Sequence, residues 1–225
     1  MRQTWIRPIE QIVLPALEGK LRILGFTSPG HGAGVTSICQ AAAETIARSG
    51  VKVLLLDLTQ ASEATGRVPG WVPGLSAARE QAHRHESGFD ILTAQPSPET
   101  RFLFNDGKRL RLALAAELAD YAVVIVDLPP LLDASAEIVN PVAAALACDQ
   151  VLLVCANALT RRPEARSAVA LARASGIKLS GTVFNDLGRP GLVEEIATSL
   201  AHWTRFWPAL SIRLDRLIRT NPILN

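Results

Sequence analysis

The sequence predicts an α/β domain with a mainly parallel sheet and helices on both faces, and three observations predict it. Short runs rich in Val, Ile and Leu alternate with Ala-rich stretches of helical length. Several of these runs, such as 51–57 and 121–127, are apolar almost throughout, as strands covered on both faces must be. A glycine-rich turn, SPGHGAGVTS, joins the first such run to the first Ala-rich stretch.

Strands are expected at 22–27, 51–57, 89–93, 121–127, 150–156 and 180–184, and helices at 35–49, 76–85, 107–119, 134–147 and 163–175. Gly50 and Gly176 stand where C-terminal caps belong, and Pro163 suits a first helical turn. This divides the chain into an extension at 1–20, a domain at 21–200 and a tail at 201–225.

The chain has 225 residues, 48% of them apolar, enough for one substantial core. Its formal net charge of +2 is too small to draw a nucleic acid through bulk electrostatics. Cys39, Cys148 and Cys155 lie among apolar neighbours without metal-ligand spacing, so reduced core thiols are expected. The apolar stretch 12–17 is short and holds Pro15, which disfavours a cleaved leader. The most apolar region, 141–159, is broken by Asp149 and Gln150, so no bilayer span is expected either. A cytoplasmic location follows as the expectation.

In open parallel sheets ligands bind beyond the carboxyl ends of the strands. There the glycine turn places Gly30, Gly32, Ala33 and Gly34 ahead of a helix, so that backbone amides can converge on an anion. A standard phosphate loop continues with a lysine that reaches the terminal phosphates and a Ser or Thr that binds magnesium. Here Val35 occupies the lysine position, and Thr36 and Ser37 follow. Loss of that charge removes much of what stabilises a phosphoryl-transfer transition state, so fast hydrolysis is not expected. Binding of ATP or ADP with magnesium remains open beside the alternative of a glycine turn that binds nothing. Asp57 and Asp127 end apolar strands and, with Thr36, form the candidate magnesium set. No residue stands out as a catalytic group.

These segments together resemble the bacterial tyrosine kinases (BY-kinases) of capsule and exopolysaccharide synthesis, within the MinD and ParA group of deviant Walker P-loop proteins. FTSPGHGAGVTSI is similar to the Walker A loop, KVLLLDL to the Walker A′ strand and YAVVIVDLPPLLD to the Walker B strand. CDQVLLVCANALTRR and GTVFNDL resemble the next two strands, and PGLS at 73–76 a segment following Walker A′. The resemblance covers about 21–186. It implies a P-loop NTPase fold, a nucleotide site with Asn185 near the base, and a membrane polysaccharide co-polymerase as partner.

The departures matter as much. Val35 replaces the Walker lysine, and Thr59 stands where a second Walker A′ acid is usual. Tyr121 is the only tyrosine, so autophosphorylation in a C-terminal tyrosine cluster is not expected. The N-terminal segment also lacks the Glu-rich and Arg-rich oligomerisation motif of active kinase rings. A pseudoenzyme is therefore the expectation, with homo-oligomerisation left open.

Outside the loop, Arg161 and Arg162 follow a strand on the nucleotide side and serve either a phosphate or solvent. His31 lies within the loop, where it can donate to a phosphate or simply face water. His83 and His85, placed on the helix 76–85, face different sides, so metal binding is not expected there. In the tail, Trp203, Phe206 and Trp207 precede Pro208, and Leu210, Leu214, Leu217 and Ile218 recur at helical spacing with Arg213, Arg216 and Arg219 between them. Such a basic amphipathic segment either covers the sheet or makes a peripheral contact at the inner membrane, docking on a membrane protein or lying in the lipid interface. Two rivals to a BY-kinase-like regulator stand: a MinD or ParA-type positioning ATPase, and a nucleotide-free scaffold.

Overall fold

The computed structural model describes residues 6–59, 70–75, 77–133, 139–157 and 159–186. The proposed tail and Ser76 lie outside the described residues. The strands are β1 (Ile23–Thr27), β2 (Val53–Asp57), β3 (His83–Arg84), β4 (Asp90–Thr93), β5 (Val123–Asp127), β6 (Gln150–Ala156) and β7 (Leu179–Asn185). They form one seven-stranded sheet in the order β3-β4-β2-β5-β1-β6-β7, parallel except at the β3–β4 edge. The helices are α1 (Ile6–Leu17), α2 (Val35–Arg48), α3 (Ala78–Gln81), α4 (Arg101–Phe104), α5 (Gly107–Glu117), α6 (Pro141–Leu146) and α7 (Arg162–Ala174).

The period-two geometry of strands sorts the apolar runs onto two faces. Leu54, Leu56, Val124, Val126, Val151 and Leu153 join Leu110 and Leu114 of α5, Ala144 of α6 and Ala168 of α7 in one core. Their neighbours Leu55, Ile125, Leu24 and Phe26 pack against Ile38, Ala42 and Ile46 of α2 on the other face. Helix α1 adds Ile9, Val13 and Ala16 to this second core, so residues before β1 contribute to the packing. Both faces are covered, which is why these strands lack polar alternation.

Two expected helices differ in the structure. Among the described residues of the run 76–85 only α3 is helical, and His83–Arg84 form a strand antiparallel to β4. A Ser87–Gly88 turn closes this hairpin: Gly88 adopts φ 89°, its amide bonds His85 O at 3.0 Å, and His85 N donates to Phe89 O at 2.8 Å. His85 stacks on Phe89 with centroids 4.4 Å apart. The helix-face argument for His83 and His85 is thus replaced by a hairpin one. In the run 134–147 the helix within the described residues begins at Pro141, because Asn140 accepts from the amides of Val142 and Ala143 at 2.9 and 3.1 Å.

The segment 70–75 is pinned to the domain rather than passing over it. Trp71 is fully buried, packs edge-on against Phe104, and donates its indole N–H to Glu117 at 2.8 Å. The other Glu117 oxygen accepts from the amide of Gly74 at 2.8 Å. Glu117→Ala leaves a buried indole N–H unpaired and frees this segment, so a loss of about 1–3 kcal/mol is expected in urea unfolding. An unchanged unfolding midpoint shows that the anchor does not form in solution.

Candidate functional site

The parallel strands β1, β2, β5, β6 and β7 deliver their carboxyl ends to one edge of the sheet. There Asp57 pairs in register with Asp127, and Asp127 with Phe26 of β1. The glycine turn therefore rises beside two carboxylates that are 70 residues apart in sequence but on adjacent strands. Gly32 and Gly34 both adopt φ 79°, a region that side-chain-bearing residues avoid. Gly34 is the N-cap of α2, and no side chain caps that end. The first-turn amides of Val35, Thr36 and Ser37 have no acceptor within the helix and remain available to an anion.

The turn is fastened on both sides. Asn185 at the end of β7 is buried and donates its amide to Ala33 O at 2.7 Å. This contact makes Asn185 a strut of the loop. On the other side, Thr27 Oγ1 donates to Pro129 O at 2.7 Å, Leu131 N to Ser28 O at 2.8 Å and Leu132 N to Pro29 O at 3.3 Å. Ser28 Oγ closes the loop on itself by donating to Gly30 O at 2.7 Å. At the crest, His31 Nε2 lies 2.8 Å from Asp133 Oδ2. Asp133 and Thr27 carry structure that sequence reading did not single out.

The two acids play unequal parts. Asp57 Oδ1 accepts from both the amide and the hydroxyl of Thr59, at 2.8 and 2.7 Å. Asp127 is 1% exposed, and neither of its carboxyl oxygens has a hydrogen-bond partner among the described residues. Burial pushes the Asp127 carboxyl up to about 7; the Thr36 hydroxyl opposes that rise from beyond hydrogen-bond geometry, and the charge of Asp57 adds to it. A buried carboxylate without a hydrogen-bond partner beside a helix N-terminus is of a kind that a cation would satisfy.

Thr36 and Asp127 are the residues that could hold a magnesium ion here, with Asp57 contributing its field while bound to Thr59. Among the described residues no group of three or more His, Cys, Asp or Glu could hold a metal alone, so phosphate and water oxygens would complete the shell. When bound, magnesium would neutralise phosphate charge beside the loop. Val35 starts α2 and leans on the second core. It supplies no charge.

The remaining candidates are structural or exposed. Cys39, behind the loop in α2, is buried, and burial first, then Asp127 and Asp57, push its thiol well above the usual range. Arg161 and Arg162 are exposed, and Arg161 N is bound by Glu164 at 3.1 Å as α7 begins. Tyr121 is 7% exposed and donates its hydroxyl to Asp90 at 2.9 Å. Burial, then Asp90, raise its pKa to about 12. Among the described residues no helix is long and apolar enough to cross a membrane.

A mostly parallel sheet with a glycine loop between β1 and α2, and an acid ending the adjacent β5, defines a P-loop NTPase fold. Comparison with solved structures agrees. The kinase domain of Escherichia coli tyrosine kinase ETK is 22% identical with TM-score 0.68, covering 82% of this chain and 76% of that one. The VpsO kinase domain is 24% identical with TM-score 0.69, covering 83% and 97%. Cobyrinic acid a,c-diamide synthase from Mycobacterium smegmatis, solved with an ATP analogue and magnesium, is 20% identical with TM-score 0.56, covering 73% and 72%. No family model matches the chain, and no curated protein matches it. The fold expected from the BY-kinase resemblance is the fold observed.

Proposed function

We propose that this chain is a BY-kinase-like regulatory protein of exopolysaccharide assembly that binds ADP or ATP with magnesium and transfers phosphate poorly or not at all. The observation that carries this reading is the pairing of an intact loop with a missing charge. Gly32 and Gly34 hold the backbone in the anion-binding shape and Asp127 waits without a partner, while Val35 stands where the lysine belongs. Binding through amides and a metal survives loss of the lysine better than catalysis does, because catalysis depends on charge placed for the transition state. The locked Asp57–Thr59 pair points the same way, since it stands where a second acid would act.

The proposed partner is a membrane polysaccharide co-polymerase, with the segment 201–225 as the contact. Titration of the purified chain with magnesium nucleotides tests the reading directly. Saturable binding with turnover far below about 1 s⁻¹, the low end for working enzymes, is the expected result. Turnover within the ordinary enzyme range that is lost in Asp127→Ala overturns the pseudoenzyme reading. Absence of any binding leaves a nucleotide-free scaffold.

A further inference from the structure

We propose that His31, held in place by Asp133, is the side chain that meets the phosphates of a bound nucleotide, taking over part of the role of the lysine this loop lacks. The proposal rests on the nucleotide-binding reading above and assigns the group that makes such binding workable. From Thr27 to Ser37 the one side chain able to carry positive charge is His31. Its ring stands on the crest of the turn between Gly30 and Gly32, with 74% of the side chain exposed.

The ring is nevertheless not free to wander. Nε2 is 2.8 Å from Asp133 Oδ2, and the Asp133 side chain is only 14% exposed. Asp133 belongs to the loop that continues β5 beyond Asp127, and that loop is fixed to the turn through Leu131 N–Ser28 O and Leu132 N–Pro29 O. The carboxylate therefore stands at a set distance from the crest and orients the imidazole, as carboxylates orient imidazoles in metal and catalytic sites. Nδ1 has no hydrogen-bond partner among the described residues, which leaves it for a ligand. With Nε2 bound to a carboxylate, protonation makes Nδ1 a donor as well, and the pair then presents a cationic N–H at the anion-binding turn. A phosphate oxygen is the acceptor the surroundings favour, because the unpaired amides of the same turn recruit the same anion. Asp133 is in this view a positioning residue, while His31 makes the contact.

The test uses the full chain and calorimetric titration with MgADP and MgATP, comparing wild type with His31→Ala, His31→Lys and Asp133→Asn. His31→Ala is expected to weaken both nucleotides by about tenfold, the value of one charge-assisted hydrogen bond. His31→Lys should restore the affinity, and Asp133→Asn should give an intermediate loss. Imidazole ¹⁵N shifts of His31 should move when MgADP is added, which a purely structural histidine would not show. Because the side chain is exposed, the alanine variant should keep the wild-type melting curve without nucleotide. Wild-type binding that His31→Ala leaves unchanged overturns this assignment alone. Tighter binding by His31→Ala overturns it too, and marks the His31–Asp133 pair as a cover over the loop. If wild type and Val35→Lys both fail to bind, the nucleotide reading falls and takes the assignment with it.

Discussion

Replacing Asp127 with asparagine is expected to stabilise the ligand-free protein at pH 8 and to abolish its response to magnesium nucleotide. The carboxyl is pushed up to about 7 by burial, against 3.8 for an ordinary aspartate. Between those values the folded chain holds a proton that the unfolded chain has released. The contribution of Asp127 to stability is therefore greatest below about pH 4, falls as pH rises towards 7, and stays level above it. Three pKa units correspond to about 4 kcal/mol across this window. Asparagine keeps the shape without the charge, but its buried amide costs about 1–3 kcal/mol when unpaired, so a net gain of about 2 kcal/mol is expected at pH 8. In a chain of this size that is a rise of roughly 4–8 °C in melting temperature. Magnesium nucleotide should stabilise wild type by mass action and leave Asp127→Asn unmoved. A variant that is less stable at pH 8 and keeps the wild-type pH slope would show that the carboxylate has a partner in solution.

The same residue shows what could be read from sequence alone. Asp57 and Asp127 were legible because each ends an apolar run, and the glycine turn because its spacing is local. The parallel sheet brings these pieces together without needing distant pairs to be guessed. The struts were not legible. Asn185 reaches Ala33 across 152 positions and His31 reaches Asp133 across 102, and no local pattern encodes either contact. Thr59 is legible as a departure from the BY-kinase pattern that the sequence resembles, yet only its bonds to Asp57 show that it removes that carboxylate from free service. The β3 hairpin escaped because the Ala and Arg content of 77–82 speaks for helix, although Ser87–Gly88 carried the turn signal. Asn140–Pro141 likewise marked a helix start that the Ala-rich run around it obscured.

Val35→Lys is expected to tighten binding of MgADP and MgATP by about 10–100-fold, the value of one hydrogen bond from a charged group at roughly 1.5–3 kcal/mol. The position can accept the change. Val35 is half-buried at the first residue of α2 and touches the second core from its margin, so a lysine stem can lie along the same apolar surface while its ammonium reaches the loop. Gly34 and the amides that follow it need no rearrangement. Turnover should rise by much less than affinity, because the lysine restores one charge while Asp57 stays bound to the amide and hydroxyl of Thr59. The restored charge holds the phosphates at once, whereas its hold on the transition state counts little while the second departure, at Thr59, stays uncorrected, so the gain is read in binding before kcat. Calorimetry and steady-state hydrolysis on the same preparation separate the two effects. Affinity unchanged while kcat climbs a thousandfold would mean that only the lysine was missing and that the Thr59 lock does not restrain catalysis. A double variant with Thr59→Asp then supplies the decisive comparison: if the lock matters, turnover rises when Thr59 is replaced in the lysine background and not when it is replaced alone.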